Sequence, residues 1–332
     1  MKRSCVVAVV LIAWAAVAWA GPLVPQHLPT DAKWVCHLNV EAVKNCELVK
    51  AFHKECPKAE ECLAKMKALS AVVGMNPAED LLGVTLYDTG YGRRQGVMLV
   101  HLKHVDQKKL LGLLKKKQPD HKIAKHGDRK LYSWTARKGR DHEHPVTACF
   151  ADGKTIVFSH DVDHVRAALD VIDGKKKSLA ADSPLTKGLS RKAMLVSRAM
   201  DIDAKYKEVT RCPVLKNCTE ATVQWAERKG RLVAKYQLET DSEEIAQNFK
   251  SVVDGLRGLA TLRLGDDEAT GKMLDGLKCK AKNTSFTLTW QASTDDVRAA
   301  ARKCMQKHKM RWEEWKKRKQ KCETHRKCDK GT

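Results

Sequence analysis

Apolar and polar positions alternate with period two in several short runs of the chain, and each such run reads as a half-buried strand. WVCHLNVEAV (34–43) and LVSRAMDIDA (195–204) both run from an apolar strand into an acid-containing helix start. Two hairpins follow the same pattern. VTLYDTGYGRRQGVMLVHL predicts strands around Val84–Tyr87 and Val97–Leu102, and TVQWAERKGRLVAKYQL predicts strands around Thr222–Ala226 and Leu232–Leu238. Gly96 and Gly230 precede the returning strands, where a turn calls for positive φ. Each hairpin leads into a helix with an acidic cap, Asp106 in one case and Asp241 in the other, because a carboxylate there accepts from otherwise unpaired first-turn N–H groups.

The pattern repeats. TIVFSHDVDHVRAALD (155–170) and TLTWQASTDDVRAAAR (287–302) align without a gap at an offset of 132, and both contain Asp-x-Val-Arg-Ala-Ala. The offset is about 161 at the first strand and 134 at the hairpin glycines. The first unit therefore carries about 27 extra residues, roughly 45–72, which read as a helical hairpin broken at Pro57. Further strands are expected near Lys130–Thr135 and Val146–Phe150, and a helix over Asp266–Leu277. Strands arranged in hairpins, without alternating crossovers, predict α+β architecture. The expectation is two tandem copies of an antiparallel sheet with helices packed on one face, plus a C-terminal basic helix. The boundaries are a signal peptide over 1–20, a linker over 21–28, unit one over 29–180, a charged linker over 181–191, unit two over 192–303, and a basic helix and tail over 304–332.

The first twenty residues read as a processing signal. Lys2 and Arg3 form a positive start, Val6–Ala18 an apolar run, and Ala18-Trp19-Ala20 a small-x-small cleavage motif. This predicts cleavage after Ala20 and a secreted or periplasmic product, with an uncleaved anchor as the alternative. No later run is long and apolar enough to span a bilayer. Twelve cysteines suit an oxidising compartment. Removing Cys5 leaves eleven, an odd number, so one thiol is free, binds something, or forms an intermolecular disulfide. The spacing predicts a Cys212–Cys218 bridge and one between two of Cys46, Cys56 and Cys62.

Charge narrows the partners. Lys plus Arg is 62 and Asp plus Glu is 40, and the formal +22, less the two charges of Lys2 and Arg3, leaves +20. Such a field attracts polyanions and an anionic envelope surface. Aromatics are 5% of residues, too few for base-stacking platforms, which argues against sequence-specific nucleic acid recognition. From Arg302 to Thr332 there are 13 Lys and Arg against 4 Asp and Glu. Ala301, Met305, His308, Trp312 and Trp315 form one apolar stripe at helical spacing. Trp312, Trp315, Lys316, Lys317, Arg318 and Lys319 are the expected surface-binding residues, with docking of the stripe on the domains as the alternative.

Two units, LPTDAKWVCHLNVEAV after a signal peptide, and TDDVRAA after the last strand together resemble a group of uncharacterised exported bacterial proteins. The resemblance implies export and a duplicated α+β fold; it brings no activity and no site residues.

Catalytic motifs are not found. GDDEATGKM (265–273) fails as a phosphate loop, because five residues separate Gly265 from Gly271 and Met273 replaces the hydroxyl that holds Mg²⁺. GYGRRQG (90–96) sits within a hairpin, so its glycines serve turn geometry. His160 and His164, in HDVDH, are metal candidates, as are Cys304 and His308 near the C-terminus; His142 and His144 form a weaker pair. Unit two has Ala292 and Asp296 in place of His160 and His164, so the shared fold does not require those histidines. The leading expectation is an exported, non-catalytic protein, without a cofactor, that binds or scaffolds at the cell envelope through a basic surface. A metal-handling protein and a hydrolase with a loop-built site are the alternatives.

Overall fold

The computed structural model describes residues 21–55, 72–92, 96–138, 142–202, 214–264 and 268–303, with single positions between 61 and 70 and at 306, 310 and 314. The fold is α+β with one large antiparallel sheet. Its twelve strands are β1 (Trp34–Asn39), β2 (Leu81–Asp88), β3 (Val97–Leu102), β4 (Lys122–His126), β5 (Arg129–Lys138), β6 (His142–Phe150), β7 (Thr155–Ser159), β8 (Leu195–Ala199), β9 (Cys218–Arg228), β10 (Arg231–Thr240), β11 (Leu277–Lys282) and β12 (Ser285–Ser293). They lie side by side in the order β11-β12-β10-β9-β8-β1-β2-β3-β7-β6-β5-β4. Separate side-by-side sheets were the expectation; instead β1 and β8 pair antiparallel, from Trp34↔Ala199 to Leu38↔Leu195, and close the strands into a single sheet.

Outward from this seam, one arm runs β1, β2, β3, β7, β6 and the other runs β8, β9, β10, β12, β11. Both arms place the hairpin beside the first strand and then the last strand beside the hairpin. The first arm continues into β5 and β4. Lysines occupy both outer edges, Lys122 and Lys125 on β4 and Lys278, Lys280 and Lys282 on β11, and charge there discourages edge-to-edge pairing.

The helices are α1 (Val40–Asn45), α2 (Glu47–Glu55), α3 (Pro77–Asp80), α4 (Gln107–Lys117), α5 (Val162–Ile172), α6 (Glu243–Leu264) and α7 (Glu268–Asp275), and a further helix runs from 294 to at least 303. The expectation that helices pack on one face fails. Helix α5 buries Val165, Ala168 and Leu169 against Val35, Leu99 and Val157. Helix α6 instead sets Phe249 at 6.0 Å from Phe286 and Asp254 against the Cys279 thiol. Registered pairs link Phe286, Leu238, Ala221, Ala199 and Trp34 across the sheet. Trp34 faces away from Val35, so α5 and α6 lie on opposite faces. The cause is local: the apolar phase of alternation on β1, β3 and β7 is not the one that meets α6 on β11 and β12.

The repeated Asp-x-Val-Arg unit makes the same structure twice. Asp161 Oδ1 accepts from the Asp163 N–H, and 132 residues later Ser293 Oγ accepts from the Asp296 N–H, so both positions act as caps. Arg166 meets Asp163 at 2.8 Å and Arg298 meets Asp295 at 2.8 Å, each three residues along its helix. Asp106 caps α4 as expected, its carboxylate accepting from the Lys109 N–H. At α6, Ser242, next to the expected Asp241, has its Oγ accepting from the Ile245 N–H. Gly230 has φ +69, as its turn requires. Gly96 does not; it is needed for closeness, since a Cβ there would sit 3.3 Å from the Tyr87 carbonyl and 3.6 Å from the Trp34 ring.

The cysteine expectations fall partly outside the described residues. Cys46 is buried as a free thiol, while Cys56 and Cys62 lie outside the described residues. Cys218 is buried with its sulfur 3.2 Å from the Val214 carbonyl, and Cys212 also lies outside the described residues. Among the described residues, no helix is long and apolar enough to cross a membrane.

Candidate functional site

Strand β1 carries Val35, His37 and Asn39 on its buried face, β2 carries Thr85 and Tyr87, and β3 carries Val97, Leu99 and His101. The alternation that buries apolar side chains thus also buries His37 and Thr85 and half-buries His101. The segment before β1 crosses over them, bringing His27 from a 3-10 turn at Pro25–His27. The result is a cluster of three imidazoles. His27 and His101 stack with centroids 5.8 Å apart, and His37 lies tilted at 6.5 Å from His101.

The hydrogen bonds of the cluster have a direction. His37 Nε2 lies 2.7 Å from the Gly21 carbonyl, which can only accept, so this nitrogen carries the proton. In the neutral ring Nδ1 is then bare and accepts from the Thr85 hydroxyl at 2.9 Å. The Thr85 oxygen in turn accepts from His101 Nε2 at 3.2 Å. One tautomer for each ring satisfies the whole chain, and every member is neutral. Burial pushes the pKa of all three histidines down; that of His101 falls to about 4, burial being the main cause and repulsion by His27 and His37 the next. Asp152 partly offsets this at His27 and His101. Two glycines make the arrangement fit. Gly21 has φ +88 and lies so close to Asn39 that a Cβ would stand 2.5 Å from Oδ1, and at Gly83 a Cβ would stand 3.0 Å from the His37 ring.

A hydroxyl, an imidazole and an orienting carbonyl in series have the connectivity of an activated nucleophile. Thr85 cannot use it, because it is 1% exposed and its oxygen already accepts from His101. The hydroxyl is sealed.

Beside the cluster, over the β1–β8 seam, opens a cavity of about 590 Å³. The segment 22–27 forms one wall, the linker 186–191 the other, and His37, Ala193 and Val196 the floor. Leu23 and Leu189 pack onto the small apolar cluster of Ala193, Val196 and Ala226. His27 stands between this cavity and a smaller one of about 50 Å³ lined also by His101 and Asp152. Its Nδ1 is buried without a hydrogen-bond partner among the described residues. Arg198 shapes the far wall by donating to the Pro184 and Lys187 carbonyls at 2.6 and 2.7 Å. A larger cleft of about 960 Å³ lies between α1–α2 and the helix beginning at 294. Its cations are largely engaged: Lys44 donates to the Leu81 carbonyl, Lys50 pairs with Glu47 and Arg298 with Asp295.

The metal candidates read from sequence are dispersed. His160 Nδ1 lies 2.7 Å from the Pro145 carbonyl and its ring faces His144 at 6.2 Å. His164 Nδ1 is buried without a partner among the described residues and does not join them. No group of three or more His, Cys, Asp or Glu among the described residues is arranged to hold a metal ion. Cys304, His308, Trp312, Trp315 and Lys316 to Lys319 lie outside the described residues. The histidine cluster was missed in the sequence because positions 27, 37 and 101 share no linear spacing. The available signal was polar residues in the buried phase of apolar strands, His37 after Val35 and His101 after Leu99.

No protein-family model and no curated protein matches the chain. Crystal form III of TP0453 is similar over 84% of this chain and 96% of that one, at 8% identity and a TM-score of 0.45. Crystal form I of TP0453 gives 85% and 96% coverage, 8% identity and a TM-score of 0.42.

Proposed function

We propose that the protein is an exported, non-catalytic binding protein, built from two tandem copies of one α+β unit, that engages anionic surfaces of the cell envelope through its basic exterior. The duplication is supported by the matching strand order of the two arms and by the repeated cap and ion pair of the Asp-x-Val-Arg unit. Export is supported by the character of residues 1–20. The non-catalytic reading is supported by the burial of the Thr85 hydroxyl, which is closed to substrate.

The observation that carries the binding role is a surface of cations left unneutralised. On β11, Lys278, Lys280 and Lys282 alternate on one face, are all exposed, and make no ion pair among the described residues. Through Lys278↔Thr289 and Thr289↔Lys235 that face continues onto β10, so four lysines share one polar sheet surface. The basic C-terminal stretch adds a net +9 from Arg302 to Thr332. Through Ser285 the same face continues to Glu239 and Glu220, so lysines outnumber acids there by four to two, and that excess favours a polyanionic partner.

The test is retention on anionic vesicles or an immobilised polyanion at low salt. Deleting Lys316 to Thr332, or changing Lys278, Lys280 and Lys282 to Glu, should weaken retention while leaving the unfolding transition in place. The difference should shrink as salt rises, since exposed charges are screened over about 10 Å at 0.1 M. Equal retention by both variants and the parent protein would overturn the reading.

A further inference from the structure

We propose that the cavity over the β1–β8 seam is a binding site for a compact organic anion, an acid group carried on a branched or aromatic body. This goes beyond the basic exterior and rests on a different part of the molecule.

The lining decides the charge. No Asp or Glu lines the cavity, whereas Lys187 and Arg191 do, and neither makes an ion pair among the described residues. Ser190 supplies a further polar group to the lining. An acid group placed between Lys187 and Arg191 gains two cations at no cost in broken ion pairs. Charge-assisted hydrogen bonds of this type are roughly twice as strong as neutral ones.

The lining also decides the body. Leu23, Val24 and Leu189 on the walls and Val196 on the floor present an apolar surface beside the cations. A purely inorganic anion would leave that surface wet. The volume falls in the range of roughly 300–1,000 Å³ typical of small-molecule sites, with mostly apolar walls and a few convergent polar groups. Its position is meaningful as well. One wall precedes the first arm and the other links the two arms, so the cavity exists only because β1 and β8 join the arms in one sheet. His37 and Val196, which pair across that seam, form the floor.

Calorimetric titration of the full chain with phenylacetate, phenyl phosphate, benzyl alcohol and inorganic phosphate tests the proposal. Saturable one-to-one binding is expected for phenylacetate or phenyl phosphate, and whichever is tighter identifies the acid group as carboxylate or phosphate ester. Benzyl alcohol and inorganic phosphate should each bind at least tenfold more weakly. The double variant Lys187→Ala, Arg191→Ala should lower the affinity at least tenfold, and both positions are exposed, so the fold should survive. Val196→Trp, which fills the cavity, should abolish binding. If Val196→Trp does not fold, Leu189→Trp blocks the same space from the linker side. Absence of saturable binding by both aromatic acids, equal binding of benzyl alcohol, or an unaffected double variant would overturn the site. Changing Lys278, Lys280 and Lys282 to Glu should leave this binding unchanged, which separates its failure from failure of the envelope-binding reading.

Discussion

The two arms of the sheet share a strand order but not a core. On the face covered by α5, the first arm presents Val35, Tyr87, Leu99, Val157, Cys149 and Leu131, all buried in one cluster. On the same face, the second arm presents Arg198, Gln224, Lys235, Thr289 and Lys278, and its cluster there shrinks to Ala193, Val196 and Ala226. The substitution is visible within the ungapped repeat, where Val157, fully buried, corresponds to Thr289, half-buried. On the opposite face Ile156 and Phe158 correspond to Leu288 and Trp290, so apolar character persists where α6 packs. One connectivity can therefore serve a closed core or an open polar surface, depending on which phase of the alternation is apolar. Strand order follows from hairpin geometry, while the location of the core follows from side chains.

The largest expected contrast is in core truncation. Leu99→Ala, at a 0% exposed site, should destabilise the protein by about 3 kcal/mol, transfer and cavity terms together. Thr289→Val, on the corresponding face of the second arm, gives up only a long bond of 3.3 Å to the Lys278 carbonyl and should change stability by no more than about 1 kcal/mol. Urea unfolding of both variants checks this. A loss at Thr289 as large as at Leu99 would break the comparison.

The histidine cluster belongs to the first arm, and pH probes it separately. The folded pKa of His101 is about 4, below the ordinary value of 6.5, so between these values the unfolded chain binds more protons. Stability is therefore fully present above about pH 6.5 and is lost as pH falls toward 4. The depression at His27 and His37 has the same sign. At about 1.4 kcal/mol per unit, the loss from His101 is at most about 3 kcal/mol. The urea midpoint measured from pH 7 to pH 4 should fall, and His101→Leu should flatten the slope. A midpoint insensitive to pH in the parent protein would contradict a neutral cluster.

The helix caps should behave alike in both arms. Asp161→Ala and Ser293→Ala should each cost about 1 kcal/mol. A neutral result at one of them would show that its helix start is held by other contacts. Smallest are the repeated ion pairs. Asp163 and Asp295 are 75% and 79% exposed, so Arg166→Ala and Arg298→Ala should each cost no more than about 0.5 kcal/mol. The loss should vanish in high salt.

Much of the local structure was legible because it depends on neighbours in sequence. Alternation located the strands of both hairpins and of the repeated final unit. The helix expected near Asp266–Leu277 forms as Glu268–Asp275, and the expected β5 and β6 form around Lys130–Thr135 and Val146–Phe150. Strand β4 was not read, since KIAKH is short and mostly exposed and carries no buried phase to reveal it. At α6 the cap bond seen comes from Ser242, next to the expected Asp241; Asp and Ser are both competent caps, and the chain path selects between them.

By itself, the sequence determined most element types, the repeated strand–cap–helix unit, the cation excess and the buried phase of the hairpin strands, all of which follow from residues close along the chain. The tertiary structure decided the rest. Pairing of β1 with β8, about 160 positions apart, made one sheet of two arms, and backbone hydrogen bonding at a strand edge is largely indifferent to side-chain identity, so no local pattern announces it. The same holds for the meeting of His27, His37 and His101, and for the cavity beside them. Each requires segments distant in sequence to close on one another, and the cost in chain entropy is offset only by contacts that exist once the sheet has formed.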